Sequence, residues 1–95
     1  MNDLTAFQRD LLYIIAGLEK PHGLAIRDEL AEYHDKEIQH GRLYPNLDTL
    51  VDKGLVKKEQ EDGRTNAYSL TERGRRELKA RREWEDNYIT TLLSH

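Results

Sequence analysis

Arg42, Tyr44, Asn46 and Thr49 place four different hydrogen-bonding groups within eight positions. A guanidinium forks onto guanine O6 and N7, a carboxamide onto adenine N6 and N7, and a phenol or threonine hydroxyl donates to a phosphate or a base. Arg64, Thr65 and Asn66 put one cation and two small polar groups at a turn, a combination suited to a minor groove. Lys53 and Lys57 lie between the two groups and offer further cations for phosphate. Together these side chains suit recognition of double-stranded DNA.

No comparable set exists for covalent or acid–base chemistry. The 95-residue chain has no cysteine, so disulfides, thiolate-bound zinc and thiol redox sensing are excluded. It has no Ser/His/Asp or Cys/His constellation, no phosphate-cradling loop and no paired carboxylates in a recognisable cleft. His22, His34, His40 and Glu37 are irregularly spaced, with no pair of histidines four residues apart, which argues against a metal site. Neither enzymatic activity nor a cofactor or metal is expected.

The net charge of -3 opposes a DNA-binding reading, because neutralising phosphates supplies most of the affinity. Its distribution removes the objection. Residues 1–40 carry four basic and eight acidic side chains, 57–82 carry nine and five, and 83–95 carry none and three. The positive charge is concentrated in Lys57, Lys58, Arg64, Arg73, Arg75 and Arg76 and their neighbours. An acidic total with a basic patch suits a cytoplasm of high ionic strength, where cations screen carboxylates near DNA. The longest apolar run, residues 11–16, is far too short to span a membrane, and the acidic start does not resemble a signal peptide, so a cytoplasmic protein is expected.

The elements that must position these side chains follow from spacing. Thr5 and Gln8 form a capping box, and Phe7, Leu11, Ile14, Ile15 and Leu18 share one face of a helix from about residue 6 to 19. Leu12 and Tyr13 fall off that face and suggest a second buried surface. After Pro21 and Gly23, the residues Ile26, Leu30 and Tyr33 give a second amphipathic helix over 24–35. Leu43, Leu47, Leu50 and Val51 form the stripe of a third helix that starts near 40–42 and is stopped by Gly54, with Pro45 in its opening turn. Burying that stripe turns Arg42, Pro45, Thr49 and Asp52 outward, flanked by Tyr44 and Asn46. A hairpin follows, with strands at 55–60 and 65–70 joined by a turn at 61–64. Thr71 caps a long last helix carrying Leu78, Trp84, Tyr88, Ile89, Leu92 and Leu93 on one broad side.

Three helices followed by a two-stranded hairpin is the winged helix-turn-helix order. The expected fold is mainly α with a β wing, the third helix entering the major groove and the wing tip reaching the neighbouring backbone. Residues 1–70 form the expected DNA-binding unit, and 71–95 a dimerisation helix packed on it. The same fold also serves protein-binding modules, but those need no basic cluster of this kind.

Two strings give the chain a family resemblance. Gly41-Arg42-Leu43-Tyr44-Pro45-Asn46-Leu47-Asp48-Thr49-Leu50, followed by Lys53-Gly54-Leu55-Val56, resembles the recognition helix and first wing strand of the PadR family. Gly63-Arg64-Thr65-Asn66-Ala67-Tyr68-Ser69-Leu70-Thr71-Glu72-Arg73-Gly74 is similar to that family's wing tip, tyrosine strand and opening of the last helix, and His22-Gly23 matches its second-helix start. The resemblance implies a dimeric DNA-binding regulator, often a repressor, with dimer contacts from the last and first helices. Here Leu12, Tyr13, Leu78, Trp84, Tyr88, Ile89, Leu92 and Leu93 are the expected contacts. A two-fold dimer would present two recognition helices roughly 34 Å apart, matching a palindromic operator. The acidic balance and short single last helix depart from the family, and the latter leaves little room for an effector pocket.

Overall fold

The computed structural model describes residues 3–94. Met1 and Asn2, at the start of the expected 1–70 unit, and His95, at the end of the 71–95 helix, lie outside them. The element order is α1 (Ala6–Leu18), α2 (Gly23–His34), α3 (His40–Asp52), β1 (Val56–Asp62), β2 (Thr65–Leu70) and α4 (Glu72–Leu93). This is a winged helix with an added C-terminal helix.

Each boundary has a local cause. The Thr5 hydroxyl accepts from the Gln8 amide, and the Gln8 side chain accepts from the Thr5 amide, closing the capping box that starts α1. α3 ends in a Schellman motif: Leu55 N–H donates to Leu50 C=O, Gly54 N–H to Val51 C=O, and Gly54 takes φ +76°. α4 begins against that same turn. The Thr71 hydroxyl accepts from Gly74 N–H and donates to Gly54 C=O, while Thr71 N–H donates to Leu55 C=O. Gly74 is required there, because a Cβ would overlap the Leu55 carbonyl oxygen.

The core joins all the elements. Leu11, Leu12, Ile26, Leu30, Leu43, Leu47 and Leu50 are fully buried, with Phe7, Ile15, Ile38, Leu55, Val56, Tyr68 and Leu78 around them. Burying each large aliphatic side chain contributes roughly 1.5–3 kcal/mol, so the inward face of α3 is fixed strongly.

Four expectations are corrected here. Leu12 is sealed inside the protomer's own core and Leu78 is 7% exposed, so neither offers surface to a second subunit. α1 is covered by α2 on one side and by α3, α4 and β2 on others, which buries more than one face. Tyr33 is 76% exposed and Leu18 38%, because α2 and α1 outrun the core at their C-terminal ends. Val51 is half-buried rather than sealed. Pro45 sits within α3, past its first turn, so Gly41 C=O lacks the usual amide donor four residues on.

The hairpin is antiparallel, pairing Val56 with Leu70 and Lys58 with Tyr68, with an irregularity between Gln60 and Asp62. It does not stand alone. Tyr68 N–H donates to Pro21 C=O, and His22 bridges to Ala67, so the α1–α2 connection adds a short third edge to the wing.

Candidate nucleic-acid interface

α3 and the wing tip present the residues expected to meet a duplex. Arg42 and Pro45 are exposed on α3, while Tyr44, Asn46 and Thr49 are half-buried at its flanks. Arg64 is exposed at the wing tip, with Thr65 and Asn66 half-buried beside it. His22, Tyr44, Arg64, Thr65 and Asn66 line one groove, which brings the α3 flank and the wing together.

Several of these groups are already engaged. The Arg42 guanidinium lies 4.0 Å over the Phe7 ring. The Asn46 carboxamide accepts from Gln8 Nε2 at 2.9 Å and donates to Arg42 C=O at 2.7 Å, so it latches α3 to α1 rather than lying open. The Thr49 hydroxyl donates to Pro45 C=O. Sequence spacing places Asn46 at the flank of the outward rim of α3 but carries no sign of its bond to Gln8, which is 38 residues away.

The cations divide sharply. Lys53 pairs with Asp3 at 2.6 Å, and that hydrogen bond holds the Asp3 carboxyl below its usual range. Lys57 pairs with Glu59 at 3.1 Å and Lys58 with Asp48 at 3.3 Å. Lys20 reaches both Glu59 and Glu61, and His22 meets Glu61 at 3.0 Å, so these two carboxylates brace the wing against the α1–α2 turn. Arg64 is in no ion pair or hydrogen bond among the described residues. Exposed pairs are individually weak, about 0–1 kcal/mol, so the paired lysines remain exchangeable towards a stronger anion.

The far end of the molecule is apolar. Beyond Leu78, α4 runs outward with Trp84 50% exposed, Tyr88 65%, Leu92 69% and Leu93 78%. The Trp84 and Tyr88 rings meet at a tilt with centroids 5.0 Å apart, the Arg81 guanidinium covers Trp84, and Tyr13, itself exposed, donates to Glu85 across the α1–α4 junction. No helix is long and apolar enough to cross a membrane among the described residues.

Comparison with known proteins agrees with this geometry. H. salinarum RosR, from crystals grown from NaBr, superposes with a TM-score of 0.86 and 52% identity, covering 90% of this chain and 76% of that one. RosR in its SG complex gives 0.88 and 44%, covering 98% and 91%. F93 of STIV, a winged-helix DNA-binding protein, shares the fold with a TM-score of 0.70 at 23% identity, over 88% of this chain and 92% of F93. No curated protein matches the chain. Residues 11–80 match the family described as the transcriptional regulator PadR-like family. That span runs from the middle of α1 through α2, α3 and the wing into α4, so the chain belongs to the transcriptional regulator PadR-like family and is a regulator, not an enzyme.

Proposed function

We propose that this chain binds double-stranded DNA as a homodimer and represses transcription from a palindromic operator. The observation that carries the reading is the exposed Arg42–Pro45 rim of α3, set beside a wing tip whose Arg64 makes no ion pair or hydrogen bond among the described residues. In this reading α3 lies in the major groove, with Arg42 pairing to guanine and Tyr44, Pro45 and Thr49 contacting base or backbone. Arg64, Thr65 and Asn66 follow the adjacent minor groove, and Lys53 and Lys57 exchange their carboxylates for phosphates. Asn46 supports the helix and reads a base only if its bond to Gln8 opens.

The dimer is proposed to form through Trp84, Tyr88, Ile89, Leu92 and Leu93 of α4, with Tyr13 at the rim. These side chains form a contiguous apolar surface that a lone protomer leaves in water. Residues 1–70 then act as the DNA-binding unit and 71–95 as the dimerisation helix. The carboxylates around the interface, Asp48, Glu59 and Glu61 among them, suit a medium of high ionic strength, where cations screen them from phosphate.

Gel-shift competition of a selected duplex against random duplex across potassium chloride concentrations tests the reading. Retention of the selected duplex, with affinity that survives added salt, supports it. Failure to retain any duplex at any salt would assign the fold to a protein-binding module instead. A steep loss with salt would overturn the high-salt component alone.

A further inference from the structure

Phe7 is the chain's one phenylalanine, and it stands in a core built mostly from leucine and isoleucine. Filling space there needs no ring. The ring adds something that an aliphatic side chain lacks: the Arg42 guanidinium lies over it, 4.0 Å from its centroid, and the negative face of an aromatic ring attracts a cation. Phe7 is only 7% exposed, so the core fixes the platform, while Arg42 is exposed on the rim of α3.

The first turn of α1 also holds Arg42 from a second direction. Gln8, the next residue, donates through Nε2 to Asn46, and Asn46 donates to the Arg42 carbonyl at 2.7 Å. Phe7, Arg42, Asn46 and Gln8 thus close a ring of contacts between α1 and α3. Its α1 side is anchored: the capping box fixes Gln8 against Thr5, and Arg9 Nη1 donates to the Leu4 carbonyl at 2.9 Å. Its α3 side needs the support, because Pro45 leaves the Gly41 carbonyl without its helical donor.

Arg42 is held differently from the neighbouring lysines. Lys53, Lys57 and Lys58 each meet a carboxylate. The Arg42 guanidinium is in no ion pair or hydrogen bond among the described residues, and the Phe7 ring is what it touches. That contact restricts the rotamers of the side chain while leaving its N–H donors open, and a side chain ordered before docking loses less entropy on binding. We infer that Phe7 is a positioning residue for base reading: it holds Arg42 in the conformer that forks onto guanine O6 and N7, so the first helix sets part of the sequence preference of the third. The inference rests on the proposed DNA binding and adds a specificity determinant buried outside the recognition helix.

Phe7→Leu keeps a large apolar side chain and removes the ring. Its test uses a duplex recovered by selection and a copy carrying 7-deazaguanine at the guanine whose preference disappears in Arg42→Ala, both measured by fluorescence anisotropy. Phe7→Leu should lower affinity for the selected duplex about two- to fivefold, the size of one exposed cation–π contact, with a smaller loss on the 7-deaza copy. A fold that is merely loosened would weaken both duplexes equally. Phe7→Tyr, which keeps the ring, should restore wild-type affinity, and Phe7→Leu should change nothing further in the Arg42→Ala background. Equal losses on both duplexes, additivity with Arg42→Ala, or no guanine preference lost in Arg42→Ala would overturn the positioning role while leaving DNA binding by the wild type intact. In the free protein, the Arg42 side-chain protons should lie upfield under the Phe7 ring current and return to ordinary positions in Phe7→Leu. Resonances at ordinary positions in the wild type would overturn the contact itself. Failure of the wild type to bind any duplex would instead remove the functional reading, and the inference with it.

Discussion

Replacing Asn46 separates a base-reading side chain from a structural one. Its carboxamide joins Gln8 Nε2 on α1 to the Arg42 carbonyl on α3, and Gln8 is 8% exposed. Asn46→Ala leaves the Gln8 amide short of an acceptor in a partly buried site, a loss of about 1–2 kcal/mol. Gln8→Ala breaks the same bond and also opens the capping box with Thr5, so its cost rises to about 2–3 kcal/mol. Because the two variants share one bond, the double variant should be less destabilised than their sum, by roughly 1 kcal/mol. Urea unfolding followed by circular dichroism, at one fixed protein concentration, measures all four species. Thermal midpoints should drop by about 4–8 °C per kcal/mol for a domain of this size. Strict additivity, or an Asn46→Ala protein as stable as the wild type, would refute the latch. So would a selected-duplex profile that loses preference for adenine at one position when Asn46 is replaced, because that is the mark of base reading.

Three further outcomes follow from the same geometry. Gly74→Ala drives a methyl group into the Leu55 carbonyl, which also accepts from Thr71, so α4 must lift from the α3–β1 turn. The loss should reach the upper end of the about 1–3 kcal/mol typical of overpacking, read by thermal unfolding. Glu59 and Glu61 titrate below their ordinary values, Glu59 through Lys57 and Lys20, Glu61 through His22 and Lys20. A depressed carboxyl pKa stabilises the fold above the unfolded value of about 4.3 and loses that contribution as pH falls below it. Glu61→Gln should therefore lose less thermal stability than the wild type between roughly pH 6 and pH 3.5. Arg64→Gln should leave the thermal midpoint unchanged, since Arg64 has no bonding partner among the described residues, yet flatten the dependence of log affinity on log salt by about one.

The helices and the wing were legible in the sequence because their causes are local. Leucines at 43, 47 and 50 mark the buried side of α3 by spacing alone, and Thr5 with Gln8 announces α1. What sequence spacing hid depends on partners distant in the chain. Leu12 reads as off-face on α1, but several elements wrap that helix and bury it. Asn46 reads as a groove-facing amide until Gln8 arrives from α1. Lys58 reads as a free cation, while the carboxylate that meets it, Asp48, comes from α3.

Amide chemical shifts recorded while a selected duplex is added to the isotopically labelled protein test the central claim most directly. Binding through α3 and the wing should move Gly41 to Thr49 and Arg64 to Asn66, leaving the α4 residues from Trp84 to Leu93 still. Shifts confined to α4, or none at any duplex concentration, would contradict it.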